Sequence, residues 1–195
     1  MPAMHAYLDD FGKITIWMNK NFYGGRSDYF SLVEGSSSQD LVVVNAEEHD
    51  TKMKYVLTCP ADGTFGKDYK IRESHGLMVP LQIRNIVSTD EFNRMFYYGG
   101  DDLGSIYHAT HTDFALWAPT AVSVTLHIHM NKKVDSYPMK RSDHGVWRMR
   151  VEGDLSHALY CYFVERNGCV VRSLDPYALS SNGNGQYSRS EEHTS

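Results

Sequence analysis

The sequence predicts an all-β protein made of two β-sandwich domains, residues 5–90 and 98–180, joined by a short helix. Three observations support this prediction. Apolar and polar residues alternate with a period of two in several segments, as in strands that bury one face. Gly, Asn and Ser turn signals separate these segments at short intervals, which favours sandwiches over βαβ units. One segment carries both the start and the stop signal of a helix.

The clearest strand is predicted at 122–130, where apolar residues alternate with Ser, Thr and His. Segments 13–18 and 146–151 repeat this alternation. Segment 159–164 is apolar or aromatic on both faces, so we expect a central strand or one whose outer face meets another domain. Further strands are expected at 41–44, 55–58, 78–83 and 169–172.

The helix is predicted to begin at Ser88, because Ser88-Thr-Asp-Glu91 has the form of a capping box. In that motif, the side chains of Ser88 and Glu91 would each accept a hydrogen bond from an unpaired backbone N–H. Segment 92–98 continues the helix, and Gly99-Gly100 ends it. We therefore place the domain boundary near residues 88–102.

Composition excludes several classes of protein. The 195 residues contain 19 Lys and Arg against 24 Asp and Glu, a net charge of −5, so we expect no nucleic-acid partner. Hydrophobic residues make up 42%, which is enough for a folded core. No apolar run approaches the roughly 20 residues of a membrane helix, and the N-terminal residues do not form a secretory signal, so we expect no membrane partner.

The three cysteines, Cys59, Cys161 and Cys169, cannot all pair with one another. They indicate unpaired thiols in a reducing compartment, and therefore a cytoplasmic protein. A disulfide between Cys161 and Cys169 in an exported protein is the alternative.

The sequence predicts no catalytic residues. Three adjacent carboxylate pairs, Asp9-Asp10, Glu47-Glu48 and Asp101-Asp102, are expected in solvated turns, whereas acid–base catalysis needs two carboxyl groups in different environments across a cleft. Segment 62–67 superficially suggests a phosphate loop, but it is too short, and Asp68 stands where Ser or Thr is needed.

Histidine spacing also predicts neither a metal site nor a cofactor. His127 and His129 share one strand face, about 7 Å apart, but no third ligand is evident. His108 and His111 lie close in sequence but lack the Glu of the zinc-protease motif.

Aromatic residues offer the remaining binding chemistry, because Trp and Tyr rings can stack on the apolar face of a sugar. The candidate carbohydrate-binding residues are Trp17, Tyr137 and Trp147. Trp17 lies on the polar face of its strand, and Tyr137 is expected in a loop, so both are expected to be exposed. The alternative is that these aromatics are rim or interdomain residues.

From residue 97 onward the sequence resembles carbohydrate-binding module family 48, an early-set, immunoglobulin-like sandwich. The matching motifs are, in order, Tyr98-Gly-Gly-Asp-Asp-Leu-Gly104, Phe114-Ala-Leu-Trp-Ala-Pro-Thr-Ala121, Gly145-Val-Trp147, Gly153-Asp-Leu155, Tyr160 with Tyr162, and Asp175-Pro-Tyr-Ala178. The Asp-Asp-Leu-Gly motif is most similar to type I pullulanases, the α-1,6-debranching enzymes of glycoside hydrolase family 13, although branching and isoamylase-type enzymes also carry this module. Segments 6–16 and 92–98 resemble the extra N-terminal β-domain of such pullulanases, so the resemblance covers residues 5–187.

The resemblance implies a non-catalytic N-terminal portion of a debranching enzyme. The family's catalytic residues lie on a (β/α)8 barrel, which takes about 250 residues, whereas only 20 follow Asp175. The implied partners are this missing C-terminal barrel and an α-glucan. Direct glucan binding is expected to be weak, because region 159–171 lacks the Trp and Lys of glycogen-binding members. The residues expected to pack between domains are Trp117, Pro119, Asp175 and Tyr177.

Two alternatives stay open. One is a stand-alone α-glucan-binding module. The other is an immunoglobulin-like interaction scaffold unrelated to sugars, in which Trp117 and Tyr177 would be covered within this chain. Residues 181–195 are predicted to be a disordered tail, and 189–195 resemble a translated sequencing adapter, so we expect that part to be artefactual.

Overall fold

The computed structural model describes residues 2–60, 65–178, 180–181 and 183–190, and the chain divides into two compact units, Met1–Met95 and Phe96–Ser195. Strands dominate both units, which confirms the all-β prediction. The helical segments are the 3-10 turns Tyr23–Gly25, Asn85–Ser88 and Asp143–Gly145 and the α-helix α1 (Asp90–Met95). Within the described residues, no helix has the length and apolar character that crossing a membrane requires.

Unit 1 is built on one eight-stranded sheet. Its strands are β1 (Met4–Asp10), β2 (Lys13–Asn19), β3 (Phe30–Glu34), β4 (Ser37–Leu41), β5 (Val43–Glu48), β6 (Lys52–Thr58), β7 (Tyr69–Glu73) and β8 (Met78–Ile83). Their order is β4-β3-β7-β8-β1-β2-β6-β5. The pairs are antiparallel except for β1 with β8, which run parallel.

One face of this sheet supplies the core of unit 1. Alternate residues of β2 are buried, namely Ile14, Ile16 and Met18, while Thr15 and Trp17 lie on the outer face. Four strands lie between β3, which carries Phe30, and β6, which carries Tyr55, yet the ring centroids of these two residues are 5.0 Å apart. The sheet therefore curls round its own core, so that its two ends form the layers of a sandwich.

The single strand predicted at 41–44 is wrong. β4 ends at Leu41 and β5 begins at Val43, and these strands form opposite edges of the sheet. The apolar run is continuous in sequence, but Leu41 is buried whereas Val42, Val43 and Val44 are exposed. The chain uses this run to cross from one sheet edge to the other.

The helix is correctly placed, but its cap differs from the prediction. The Thr89 side chain accepts the hydrogen bond from Phe92 N–H at 3.2 Å, so Thr89 is the N-cap and Ser88 ends the preceding 3-10 turn. Glu91 consequently lies one position too early for a capping box with Thr89. α1 ends at Met95, three residues before the predicted end.

Unit 2 is a sandwich of two sheets. Its strands are β9 (Gly104–His108), β10 (His111–Trp117), β11 (Ser123–Met130), β12 (Lys133–Pro138), β13 (Lys140–Arg141), β14 (Val146–Glu152), β15 (Leu159–Arg166), β16 (Cys169–Ser173), β17 (Ser180–Ser181) and β18 (Ser188–Arg189). One sheet has the order β13-β14-β10-β9, and the other has the order β12-β11-β15-β18-β17, with β16 also paired to β15.

The inward faces of both sheets form the core of unit 2, as the alternation in the sequence predicts. β11 contributes Val124, Leu126 and Ile128, and the opposite sheet contributes Phe114 and Leu116 among others. The central position predicted for segment 159–164 is confirmed, because β15 pairs with β11, β16 and β18.

Two short strands, β17 and β18, lie at and within the start of the segment predicted to be a disordered tail. Ser188 is buried and pairs with Tyr160 of β15, and Ser190 N–H donates to the Ala158 carbonyl at 2.8 Å. These short strands are polar and carry no apolar alternation, so the sequence pattern gives no sign of them. Residues 191–195, the larger part of the suspected adapter segment, lie outside the described residues.

The structure contains no Cys161–Cys169 disulfide. Cys161 is buried, Cys169 is exposed, and both carry thiols. Cys169 pairs with Arg166 across the β15–β16 turn, so the strand register separates the two cysteines.

Candidate carbohydrate-binding surface

The outer face of the unit 1 sheet carries a row of aromatic side chains. His5 of β1 pairs directly with Trp17 of β2, and Trp17 pairs in turn with Lys54 of β6. Tyr7 follows His5 on the same face of β1, because side chains two residues apart in a strand point the same way. We call the surface made by His5, Tyr7, Trp17 and Lys54 the Trp17 face.

Trp17 is partly exposed, and two polar side chains, His49 and Lys54, lie against its ring. The His49 ring lies 5.0 Å from the indole ring at an angle of 57°, and Lys54 Nζ is 5.7 Å from the indole centroid. Lys54 also lies 3.8 Å from the Glu47 carboxylate. The indole is therefore oriented by its neighbours without being buried by them.

Arg84 lies at the far end of the Trp17 face, against Tyr7. The Arg84 guanidinium lies 3.7 Å from the Tyr7 ring centroid and makes a two-pronged ion pair with Asp9, with Arg84 Nε at 2.7 Å from Asp9 Oδ1. The hydrogen bond from Arg84 lowers the pKa of Asp9. His5 and Tyr7 are nearly parallel, with ring centroids 6.0 Å apart.

This arrangement suits a neutral polyhydroxylated ligand. Aromatic rings offer apolar faces for stacking, and the flanking ammonium, guanidinium and carboxylate groups can hydrogen-bond hydroxyls. Trp17 was predicted from the sequence as a candidate binding residue, whereas His5 and Tyr7 were not. The period-two pattern of residues 4–8, with Met4, Ala6 and Leu8 buried, is the signal that assigns them to the outer face.

Trp147 does not belong to any exposed surface. It is 5% exposed within the core of unit 2, and its indole Nε1 donates to the Ala118 carbonyl at 3.0 Å. Trp147 was named as a candidate carbohydrate-binding residue, but a buried indole has no free face on which a sugar can stack. The physical reason is the strand alternation, which places Trp147 on the same inward face as buried Val151.

Tyr137 lies on strand β12 and not in a loop as predicted. It pairs with buried Leu126 of β11, faces the same side of the sheet, and packs against the core of unit 2. β12 is an edge strand with little apolar alternation, which explains why the sequence pattern did not reveal it. Its ring is half-buried, so it offers less stacking area than predicted.

The four residues expected to pack between domains separate into two kinds. Trp117 and Tyr177 are 44% and 55% exposed, although the indole Nε1 of Trp117 donates to the Phe96 carbonyl at 2.9 Å. Pro119 and Asp175 are buried instead. Trp117 and Tyr177 covered within this chain would have favoured the interaction-scaffold alternative, and the exposed rings do not favour it.

Asp175 is the centre of a buried hydrogen-bond network. The hydroxyls of Tyr160 and Tyr162 donate to Asp175 Oδ2 at 2.7 and 3.4 Å, and Tyr177 N–H donates to Oδ1 at 2.9 Å. Burial raises the pKa of Asp175, because desolvation outweighs these hydrogen bonds. Asp175 is only 6% exposed, so its carboxyl group is not accessible as a general acid.

One carboxylate of each adjacent pair is engaged by a cation. Hydrogen bonds from Arg84 to Asp9, from Lys20 to Glu48 and from Arg148 to Asp102 lower the pKa of each carboxyl group. Tyr98 also donates to Asp102. Carboxyl groups held ionised in this way do not fit a general acid, which needs a raised pKa.

Each of the two units matches a known family of protein domains. Residues 4–88 match the family model described as the pullulanase N1-terminal domain, and residues 102–178 match carbohydrate-binding module 48, the isoamylase N-terminal domain. Pullulanase of Bacillus subtilis strain 168 is 33% identical over 187 residues, which cover 94% of this chain and 26% of that relative. The 1,4-alpha-glucan branching enzyme GlgB of Aquifex aeolicus is 41% identical over 72 residues, or 35% of this chain and 11% of the enzyme.

Solved structures agree with this assignment. Pullulanase from Anoxybacillus sp. LM18-11, complexed with maltotriose, superposes with a TM-score of 0.91 at 31% identity over 98% of this chain and 28% of that one. Pullulanase type I from Bacillus subtilis, complexed with maltose, gives a TM-score of 0.90 at 31% identity over 98% of this chain and 27% of that one. The chain thus spans about a quarter of the length of these relatives, and it belongs to the pullulanase family, of which it carries the N1-terminal domain followed by a carbohydrate-binding module 48.

Proposed function

We propose that this chain is the non-catalytic N-terminal part of an enzyme that hydrolyses α-1,6 branches of α-glucans such as pullulan, glycogen or limit dextrin. The observation that carries the proposal is the alignment of 94% of the chain with about a quarter of a pullulanase. The ion-paired carboxylates described above support a non-catalytic role. The thiols of Cys161 and Cys169 support a cytoplasmic enzyme.

The first task of the chain is to brace a catalytic barrel. Trp117 and Tyr177 are large aromatic side chains that stay exposed in unit 2, and such residues are enriched where one protein surface packs on another. Buried Pro119 and Asp175 lie close in sequence to these two residues and act by holding the local backbone. We infer that the Trp117 and Tyr177 rings are covered by the barrel in the longer enzyme.

The second task is to contact the glucan through the Trp17 face. The relatives complexed with maltotriose and maltose show that the family includes maltooligosaccharide-binding proteins. A glucose ring stacked on the partly exposed Trp17 indole can hydrogen-bond Lys54 and the neighbouring polar groups. Region 159–171 of unit 2 lacks the Trp and Lys of glycogen-binding members, so we place the glucan contact on unit 1.

Replacing Trp17 with alanine is expected to weaken glycogen binding by about 2- to 12-fold, because one aromatic stack contributes roughly 0.5–1.5 kcal/mol. Affinity electrophoresis of the purified chain in gels containing glycogen measures this change. Trp17→Phe, which keeps a ring, should retain part of the retardation. Tyr97→Ala removes an aromatic side chain that is 71% exposed in unit 2 and serves as the matched control. Equal retardation of the wild-type chain and Trp17→Ala would remove the Trp17 face from the proposal.

The same preparation is expected to release no reducing ends from pullulan, because the paired carboxylates offer no accessible general acid. A reducing-sugar assay of the wild-type chain, with an intact pullulanase as positive control, tests this expectation. Sustained turnover by the purified chain would contradict the non-catalytic assignment, whatever the result of the binding experiment.

A further inference from the structure

The tip of the β9–β10 hairpin brings together three groups that the sequence analysis left apart. His108 ends β9, His111 begins β10, and the two residues are direct partners across the hairpin. Their ring centroids are 4.5 Å apart and the rings are nearly parallel, at 26°. Asp113 lies two residues beyond His111 and therefore on the same face. One ligand atom from each residue lies within 4.8 Å of the other two.

Two imidazoles and one carboxylate form a recognised ligand set for Zn²⁺ with an open position. Bonds of about 2.0–2.1 Å in tetrahedral geometry hold the donor atoms roughly 3.4 Å apart. The separation between His111 Nε2 and Asp113 Oδ2 is 3.7 Å, close to that value. His108 is exposed, so a small rotation of its side chain brings the third donor into range.

A hydrogen-bond partner at Nδ1 of His111 favours metal binding through Nε2. Thr110 Oγ1 lies 3.1 Å from His111 Nδ1. When Nδ1–H donates to this hydroxyl, the lone pair is left on Nε2, the nitrogen that faces Asp113. Metal-bound histidines ordinarily fix their second nitrogen through such an outer hydrogen bond.

Asp113 can serve as a ligand although Arg150 already holds it. Arg150 Nε and its terminal nitrogen donate to Asp113 Oδ1 and Oδ2 at 2.7 and 2.9 Å. Each carboxylate oxygen has two lone pairs, so one pair per oxygen stays available. Because the Arg150 guanidinium is positively charged, it repels a bound cation. Arg150 is therefore expected to weaken metal binding by a measurable amount.

We propose that His108, His111 and Asp113 form a zinc site that joins β9 to β10 at the tip of the hairpin, with solvent in the open position. The site is independent of the Trp17 face and of glucan hydrolysis. β9 is the edge strand of its sheet, so a metal bridge at its end strengthens its attachment to β10. The three ligands lie within six residues of one hairpin, so no other domain is needed to complete the site.

Calorimetric titration of the untagged, chelator-treated chain with ZnCl₂ is expected to show one equivalent of bound metal. His108→Ala and His111→Ala should each weaken binding by at least about 10-fold, and Asp113→Asn should also weaken it. Arg150→Gln should tighten binding, but only while Asp113 is present. The matched control is the double variant His127→Ala with His129→Ala, which removes two histidines from one face of β11 and should leave binding unchanged.

Cobalt gives a second measurement that does not depend on stability. Co²⁺ added to the wild-type chain is expected to produce visible absorption bands typical of low coordination number, and these bands should be absent from His111→Ala. Circular dichroism confirms that each variant is folded. Absence of stoichiometric binding by the wild-type chain, or equal binding by the wild-type chain and the two hairpin histidine variants, would overturn the proposal.

Discussion

Replacing Trp147 with alanine is expected to destabilise unit 2 by about 3–5 kcal/mol, the usual cost of removing a large aromatic side chain from a packed core. Trp147 is 5% exposed, and its indole N–H is bonded to the Ala118 carbonyl. The substitution leaves a cavity and also removes one of the two hydrogen bonds that this carbonyl accepts, the other coming from Ala121 N–H. For a domain of this size, the melting temperature should fall by at least about 10 °C.

Differential scanning calorimetry measures the effect as a change in the melting temperature of the chain. Trp117→Ala is the matched control within the same unit. Trp117 is 44% exposed, so its loss is expected to cost only about 1 kcal/mol. If both variants had the same melting temperature as the wild-type chain, Trp147 would not be the core residue described here. If Trp147→Ala lost glycogen binding with its stability unchanged, the residue would act in binding instead.

Replacing Asp175 with alanine is expected to cost about 2–4 kcal/mol, because it leaves buried polar groups without partners. The variant removes the acceptor for both the Tyr160 and Tyr162 hydroxyls and for Tyr177 N–H. Asp175→Asn should cost less, because the amide oxygen still accepts from Tyr160. Urea unfolding of both variants and the wild-type chain, followed by circular dichroism, gives the comparison. A loss below about 1 kcal/mol in the alanine variant would contradict this account of the network.

The same network gives a pH dependence with a definite sign. Burial raises the pKa of Asp175 in the folded chain, so the folded state holds this proton more tightly than the unfolded state does. The resulting stabilisation is complete below the unfolded value of about 3.9 and is lost as the pH rises through the raised folded pKa. Asp175→Asn removes this loss. As the pH increases from 4 to 7, the free energy of unfolding of wild type should therefore fall relative to that of Asp175→Asn. A difference that stays constant over this pH range would refute the predicted role of the Asp175 pKa.

Local patterns were sufficient where a strand buries one face and exposes the other. The strand predicted at 122–130 is β11, and the one predicted at 146–151 is β14, each within one residue at either end. Edge strands were harder to predict. β12 exposes most of its side chains on both faces and therefore shows no alternation, which is why Tyr137 was assigned to a loop.

The candidate sites depended more on strand register than on residue type. Trp17 and Trp147 both lie in alternating strands, but one points outward and the other is sealed by the opposite sheet. His108, His111 and Asp113 become one cluster only when β9 pairs with β10 in a particular register. The zinc-protease motif requires a helical spacing, so it could not identify ligands that face each other across a hairpin.

The sequence by itself determined the all-β class, most of the strands and the order of the family motifs, because these are properties of neighbouring residues. The tertiary structure alone decided which aromatic faces are covered, how one sheet curls round the core of unit 1, and which distant side chains meet. Burial and proximity depend on the packing of one sheet against another and on strand register, and neither is encoded in the alternation of a single strand.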